Sequence, residues 1–432
     1  MSLFRLCLAI ACCLSLVPSA VLSREPLRLQ TERAELVISP EGGTITGFRL
    51  KGKPLNPLNW EVPDNFESQA ETKPAPRGHF LCLDRWGAPS AAEGKRGMPF
   101  HGEAAMRAWE VTTPPNATPA GVQTAMNVDL PLAQLSVTRE VVLEAAGVAR
   151  VRETVTNRGP LGRLYNMVQH PTIAPPFLDE HTLVDSNATR GFCQDSPTAD
   201  LDEGTWPRMA LPGGTQVVDL RHLEVDAQPG AKSDVTSFVF ADGVDWGWVT
   251  AAQPAQGLLL GYAWRTADYP WLNIWRFRDG TKRLARGLEF GTTGIHRPPA
   301  ELLKQGGQRF GRPTFAYLEP DATVTREFLM FLVEIPADFA GVEVVEVSPR
   351  GIRVRERLGA KGREIDLRSS DRVPSRGRSE KDVHLHERPP PRTAPPRTPP
   401  STAEPLRPRD SQSSWRMTRS AGRPIDSALD RE

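Results

Sequence analysis

The 432-residue chain lacks a large net charge and long helical periodicity, and each absence excludes a class of protein. Its formal net charge is +1, so there is no overall basic balance to suggest a nucleic acid partner. No stretch shows the long 3.6-residue apolar period of an amphipathic helix, apart from a short helical turn expected at 299–303. Because parallel strands need crossover connections that are usually helical, a parallel α/β sheet is excluded.

Long apolar runs are also missing beyond the N-terminus. Residues 1–23 carry an arginine, an apolar run from Leu6 to Val17, and small residues up to Ser23. This pattern is typical of a secretory signal peptide, and the run is shorter than the ~20 residues of a spanning helix. We therefore expect an exported, periplasmic or extracellular protein without a membrane span.

Cysteine is scarce, and three of the five cysteines lie in the expected signal peptide. The mature chain retains Cys82 and Cys193. In an oxidising compartment these two can form a disulfide, or they can remain as buried thiols. The cysteine content therefore leaves both states open.

The chain is rich in short apolar or alternating runs bounded by Gly, Pro and Asn, from about residue 27 to 355. Many short strands separated by turns predict an all-β sandwich or barrel. Residues 179–229 have little periodicity, and we expect long loops there with one or two short strands near 216–220. From residue 368 to 432, Arg, Pro and Ser dominate. We expect this tail to be disordered, either as a solvated extension or in contact with an anionic cell wall.

The functional interpretation centres on residues 169–178. His170 follows the apolar stem 164–168 and precedes a proline-rich segment, so we expect it at the end of a strand with its ring direction fixed by a stiff loop. A histidine in that place can exchange protons near neutral pH. The alternative is a buried histidine with a structural hydrogen bond.

Two further segments have the same character. They are 100–102, which contains His101, and 286–291, which contains Glu289. Together with His170 they supply an acid and a base whose ordinary pKa values bracket the working range, which suits proton transfer without a cofactor. The alternative for Glu289 is a salt bridge with Arg286 or another arginine, and for His101 it is a role in a turn.

The order His-Gly, then His with a downstream Phe, then Gly-Leu-Glu resembles the galactose mutarotase (aldose 1-epimerase) superfamily over about residues 27–367. The resemblance implies a large antiparallel β-sandwich at 24–367 whose concave sheet holds a mono- or oligosaccharide, with no metal or cofactor. The chain departs from the superfamily pattern after each key residue. Pro-Thr-Ile follows His170 in place of Tyr-Phe-Asn, and Phe-Gly follows Glu289 in place of Thr-Gln, which bears first on the identity of the sugar.

The resemblance also implies residue roles. Glu289 would be the general base at the anomeric hydroxyl, and His170 the general acid at the ring oxygen. His101 would bind sugar hydroxyls, and Arg85 would take the arginine role near the substrate.

Further binding residues follow from side-chain chemistry. Trp271 and Trp275 share one face of a strand and can stack on a sugar, although we expect at least one of them to be core. His79 and Asp84 can help to bind a substrate or an ion, but their spacing does not predict a metal site.

Three functions are therefore compared: an aldose 1-epimerase, a non-catalytic carbohydrate-binding protein, and a glycoside hydrolase or lyase. The third needs a second carboxylate, for which Asp84 and Glu103 are the candidates. His170 and Glu289 facing each other across a cleft would favour catalysis. Splayed or mutually bonded side chains would favour binding alone.

Overall fold

The computed structural model describes residues 25–62, 75–194, 203–210, 217–222, 231–279, 283–357 and 362–368. The expected signal peptide and the tail beyond residue 368 lie outside these residues. No helix in the described ranges is long and apolar enough to span a membrane. Cys82 and Cys193 are both buried and are not joined in a disulfide.

Strands make up most of the described chain. The helices are α1 (Ala91–Lys95) and α2 (Pro299–Lys304), with 3-10 turns at Ala104–Met106 and Pro254–Gln256. The strands are β1 (Leu27–Gln30), β2 (Ala34–Ser39), β3 (Thr44–Leu50), β4 (His79–Asp84), β5 (Glu110–Thr118), β6 (Gly121–Leu130), β7 (Leu135–Leu143), β8 (Val148–Asn157), β9 (Arg163–Ile173), β10 (Leu183–Ser186), β11 (Ala188–Cys193), β12 (Glu203–Thr205), β13 (Arg208–Ala210), β14 (Val217–Asp219), β15 (Ala231–Phe240), β16 (Trp246–Gln253), β17 (Leu258–Arg265), β18 (Trp271–Asp279), β19 (Arg283–Gly291), β20 (Gln308–Arg309), β21 (Arg312–Pro313), β22 (Ala316–Leu318), β23 (Thr323–Glu334), β24 (Val342–Ser348), β25 (Gly351–Glu356) and β26 (Glu364–Arg368).

Two large sheets form a sandwich. The main sheet has the order β1-β2-β3-β4-β9-β19-β18-β15-β11-β12-β13-β14, with β22 paired to β9, and the second sheet has the order β10-β16-β17-β23-β8-β7-β6-β5. Neighbouring strands run antiparallel, as β4, β9, β19, β18 and β15 do at the centre of the main sheet. The predicted all-β antiparallel sandwich is therefore confirmed.

The alternation of side chains along each strand separates two faces of the main sheet. On β19, Leu288 and Phe290 point inward to the largest buried apolar cluster, which fills the space between the two sheets. Glu289, between them, points to the outer face. A third sheet, β24-β25-β26, packs its own apolar residues on the far side of the second sheet. The outer face of the main sheet is thus the face that can carry a site.

Three local expectations can now be compared with the structure. The helical turn near 299 is confirmed as α2. Residues 179–194 contain β10 and β11, so the expectation of mostly loop there was wrong. The placement of His170 at a strand end was also wrong, because β9 continues through Pro171 to Ile173.

Candidate functional site

Three adjacent strands bring the expected acid and base together. On β9 and β19, the pairs Gly287 with Thr172 and Phe290 with Gln169 flank His170 and Glu289, so these two occupy opposite positions in the register. On the other side of β9, His170 pairs with Phe80 of β4. Consequently one row across the outer face of the main sheet carries the phenyl ring, the imidazole and the carboxyl group.

The His170 and Glu289 side chains are in direct polar contact. His170 Nε2 lies 3.1 Å from Glu289 Oε1, and both residues are at least 96% buried. The second carboxyl oxygen, Oε2, accepts a hydrogen bond from Trp86 Nε1 at 2.7 Å. His170 Nδ1 lies 3.0 Å from the hydroxyl of Thr172. Every polar atom of the pair therefore has a defined neighbour.

Burial drives both groups toward their uncharged forms. It raises the pKa of the Glu289 carboxyl to about 8, against the opposing effect of the Trp86 hydrogen bond. It lowers the pKa of the His170 imidazole to about 3, with an added contribution from His79 and opposition from a backbone hydrogen bond. At neutral pH the pair therefore holds a protonated carboxyl and a neutral ring.

The hydrogen bonds also assign where the protons lie. Trp86 Nε1 can only donate, so Glu289 Oε2 is an acceptor and the acid proton belongs on Oε1, facing His170 Nε2. The imidazole then carries its own proton on Nδ1 and donates it to Thr172. The result is one exchangeable proton between an oxygen and a nitrogen.

Gly287 makes room for this carboxyl group. A Cβ atom at Gly287 would lie 2.5 Å from Glu289 Oε1 and 3.1 Å from the Cβ of Trp275. The Glu289 side chain therefore folds back over the glycine, toward Trp275. The Gly-Leu-Glu order in the sequence has a direct steric reason.

The pair borders a cavity of about 180 Å³ on the outer face. Five aromatic rings supply much of its wall, and among the described residues the lining contains no lysine or arginine. The lining residues are Trp60, Phe80, Trp86, Phe100, His101, His170, Ser233, Val235, Trp275, Glu289 and His296. This volume is below the ~300–1,000 Å³ of pockets for drug-sized ligands, so the cavity suits a small molecule with an apolar face.

His101 reaches the cavity from a constrained turn. Its φ of 65° is left-handed, and that of Gly102, which follows, is 79°. His101 Nδ1 accepts a hydrogen bond from the backbone N–H of Gly87 at 3.0 Å. Burial holds the pKa of His101 well below its usual value, so the ring is neutral and carries its proton on Nε2. His101 therefore offers a hydrogen-bond donor at the cavity, and its binding of hydroxyl groups stays a prediction.

The structure places Trp275 on the cavity but not Trp271, although both lie on the outer face of β18. Trp271 is fully buried against Phe192 and Phe310, and its indole N–H bonds the carbonyl of Pro313 at 2.7 Å. One of the two tryptophans is therefore core, as the sequence suggested.

Arg85 and His79 are also absent from the cavity. Arg85 is buried in a separate groove, where it bonds the Glu93 carboxylate and the carbonyl of Asp84. Arg85 and Trp86 follow the end of β4, where the φ of Asp84 is 74°, and of these two neighbours only Trp86 lines the cavity. His79 lies on the inner face of β4 and bonds Gln169.

A glycoside hydrolase or lyase would need a second carboxylate, but neither Asp84 nor Glu103 lines the cavity. Asp84 is fully buried and accepts from Arg163 Nε at 2.7 Å, and Glu103 accepts the backbone N–H groups of Leu132 and Ala133. Glu289 is therefore the one carboxylate among the described lining residues. An ion pair between Glu289 and Arg286 is also excluded, since alternation places them on opposite faces of β19.

Several lining residues were not selected from the sequence: Trp60, Phe80, Trp86, Phe100, Ser233, Val235 and His296. For Trp86 a signal existed, because it stands in the dense polar and aromatic segment that begins at His79. For Ser233 and Val235 the signal is weak, since their position depends on the pairing of β15 with β18.

No protein-family model and no curated protein matches this chain. Solved structures do match its fold. A protein from Synechocystis is 15% identical, with 72% of this chain and 96% of that chain covered at a TM-score of 0.51. A galactose mutarotase related enzyme from Lactobacillus acidophilus is 14% identical, with 72% and 98% covered at 0.50. A galactose mutarotase-like protein from Clostridium acetobutylicum is 12% identical, with 71% and 95% covered at 0.50. The chain therefore has the galactose mutarotase-like fold.

Proposed function

We propose that the cavity binds the hemiacetal end of an uncharged sugar and interconverts its anomers through Glu289 and His170. The observation that supports this most is the pair itself, in which a proton donor and an acceptor lie 3.1 Å apart on the wall of an aromatic cavity. The ring oxygen and the anomeric oxygen of a hemiacetal are bonded to the same carbon. A donor and an acceptor this close together can serve both oxygens.

The neutral pair supplies a balanced cycle. Glu289 gives its proton to the ring oxygen while His170 Nε2 takes the proton of the anomeric hydroxyl, and the bond between the ring oxygen and the anomeric carbon breaks. The aldehyde turns, and closure on its other face reverses both transfers, which restores the carboxylic acid and the neutral imidazole. No further reactant is consumed.

This cycle exchanges the roles that the family resemblance implies, in which Glu289 is the base and His170 the acid. The two versions differ by one proton shift along the bond between Oε1 and Nε2. Burial favours the version whose resting state is uncharged, because the other version would keep two charges away from water at rest. In this cycle the two charges exist only while the sugar ring is open. Each transfer contributes on the order of 10²–10⁴-fold.

The cavity lining indicates the class of sugar. Tryptophan and phenylalanine rings pack on the C–H face of a pyranose, and Trp60, Phe80 and Trp275 supply such faces. A phosphate or carboxylate would lose its water and meet no lysine or arginine among the described lining residues. An uncharged aldose, or the reducing end of an oligosaccharide, therefore fits best. If residues 1–23 direct export, we propose that this sugar is encountered outside the cytoplasm.

Binding without turnover is the second candidate. The observation that favours it is the direct bond between His170 and Glu289, which a sugar has to replace. We place binding without turnover second. The expectation that mutually bonded side chains favour binding alone assumed that the acid and the base lie on opposite sides of the sugar ring. Groups that act on two oxygens of one carbon have to be neighbours instead.

The test is the rate of anomer exchange, measured by NMR saturation transfer across a panel of aldoses with the full chain and with His170→Ala. We expect exchange of at least one uncharged aldose that is lost in the variant. Chemical-shift or thermal-shift changes without any faster exchange would support the binding function. Neither binding nor exchange with any sugar would reject both candidates.

A further inference from the structure

A second unusual group lies on the opposite face of β19 from the cavity. Arg286 is completely buried, and its Nε, Nη1 and Nη2 atoms have no hydrogen-bond partner in the part of the chain that the structure describes. A guanidinium group has five N–H donors and stays charged in proteins. Leaving such a charge buried without a partner is strongly unfavourable.

The neighbours of Arg286 in the described chain give its guanidinium group no hydrogen bond. In the register it lies opposite Ile173 on β9 and opposite Arg276 on β18. Arg276 is itself neutralised by Asp234, which accepts from its Nε at 3.0 Å and from its Nη2 at 2.7 Å. Two guanidinium groups therefore occupy facing positions. Asp234 attracts Arg286 through space, but both of its carboxylate oxygens accept hydrogen bonds from Arg276.

More distant aspartates are committed elsewhere. Asp185 and Asp219 attract Arg286 through space. However, Asp185 accepts from Arg221 Nε at 2.6 Å and from Arg357 Nε at 3.1 Å, and Asp219 accepts the backbone N–H of Arg221 at 2.9 Å. Burial and the neighbouring Arg276 lower the pKa of Arg286 to about 9, which still leaves it charged at neutral pH.

We propose that Arg286 holds a small planar oxyanion, of the carboxylate type, inside the sandwich. The unused donors form a planar fork, and two parallel N–H bonds from such a fork match the two oxygens of a carboxylate. Ile173 and Leu288 of the buried apolar cluster also lie on this inner face. Because protein interiors are closely packed, only a small anion fits beside them. This site is separate from the sugar cavity and does not depend on the proposed function.

The first test measures the melting temperature of the full chain in increasing sodium formate, with the ionic strength held constant by sodium gluconate, whose anion is too large for the site. A ligand that binds only the folded state raises the melting temperature with its concentration. We expect this rise for the wild type and for the control Arg152→Met, whose arginine is about half exposed. We expect no rise for Arg286→Met. An equal rise in Arg286→Met would overturn the proposal.

The second test does not need the variant to fold. A crystal structure of the wild type grown in formate should show a planar density within hydrogen-bond distance of the Arg286 nitrogens. A spherical density in chloride but none in formate would replace the oxyanion by a halide and contradict the proposal as stated. A carboxylate side chain of the protein in contact with Arg286, or empty density, would also contradict it.

Discussion

Two buried histidines on paired strands show why one face of the main sheet is a candidate site and the other is core. His79 on β4 and His170 on β9 are 2% and 4% exposed, and burial lowers the pKa of each to about 3. His79 points inward, bonds Gln169 at 3.2 Å and packs against Tyr262 and Phe328. His170 points outward, to Glu289 and the cavity.

The Nε2 atom of His79 joins a chain of buried polar side chains, while its Nδ1 atom has no hydrogen-bond partner among the described residues. Gln169 bonds Glu153 at 2.5 Å, and Glu153 bonds Arg139 at 2.6 Å. None of His79, Gln169, Glu153 and Arg139 lines the cavity on the outer face. His170 and Glu289 are equally buried, but they adjoin a cavity. A lowered pKa therefore does not distinguish a candidate catalytic histidine from a structural one. The cavity beside His170 and Glu289 is the feature that makes His170 the candidate.

The largest expected effect on anomer exchange follows from removing the carboxyl proton of Glu289, which faces His170 on the outer face of the main sheet. Glu289→Gln keeps the shape of the side chain and its contact with Trp86 but cannot give up a proton to the ring oxygen. We expect anomer exchange to fall by about 10²–10⁴-fold while sugar binding, measured by chemical-shift titration, is retained. Glu334→Gln, at an exposed ion pair with Lys53, is the matched control. Unchanged exchange in Glu289→Gln would remove this residue from the mechanism.

Replacing each of the two histidines by glutamine tests the distinction between the outer and inner faces of the main sheet directly. His170→Gln should lower exchange on the order of 10²-fold or more, because the acceptor nitrogen is lost. His79→Gln should lower the free energy of unfolding by about 1–3 kcal/mol through its disturbed hydrogen bond, with the exchange rate of the folded protein little changed. Exchange rates from saturation transfer and unfolding in urea measure the two quantities. Equal losses of exchange in both variants would contradict the distinction between the faces.

A smaller effect is expected at Gly287. Gly287→Ala places a methyl group 2.5 Å from Glu289 Oε1, which is too close, so the carboxyl group has to move. Because displacements of about 1 Å can cost about 10²-fold in rate, we expect a loss of roughly tenfold to 100-fold. Gly243→Ala is a control for the loss of a glycine, since no atom lies within 4 Å of its added Cβ, although its φ of 78° adds strain. A similar loss of exchange in both variants would indicate general destabilisation instead.

The smallest expected effect is at Trp86. Its hydrogen bond lowers the pKa of Glu289 against the effect of burial, so Trp86→Phe should raise that pKa above about 8. The alkaline limit of the exchange rate should then move to higher pH, with a change of about fivefold or less at pH 7. Exchange rates measured across the alkaline range test this shift. A limit that moves to lower pH would contradict the assigned hydrogen bond.

The sequence predicted the fold better than the details of the site. Strand alternation and the absence of helical periods were enough to predict an antiparallel sandwich, and the Gly-Leu-Glu and His-Gly segments contain Glu289 and His101, both of which line the cavity. The end of β9 was misplaced because Pro171 usually interrupts a strand, although here the backbone of Thr172 continues the pairing to Gly78. Arg85 and Trp86 differ by one position, and only the folded backbone decides which of them faces the cavity.

The sequence also could not predict that His170 and Glu289 are in direct contact. The two residues are 119 positions apart, and their contact depends on the pairing of β9 with β19, which no local pattern specifies. The sequence therefore identified the two candidate groups, whereas their spacing depends on the register of the strands.

The pH dependence of kcat/KM for anomer exchange tests most directly whether the pair works with a single shared proton. The pKa of His170 lies near 3 and that of Glu289 near 8, so the one-proton form exists between these limits. We predict a constant rate from about pH 5 to 7 and a fall as pH rises through about 8, where Glu289 loses its proton and two bases remain without an acid. A rate that instead increases through pH 8 would show that ionised Glu289 is the active form and would contradict this account.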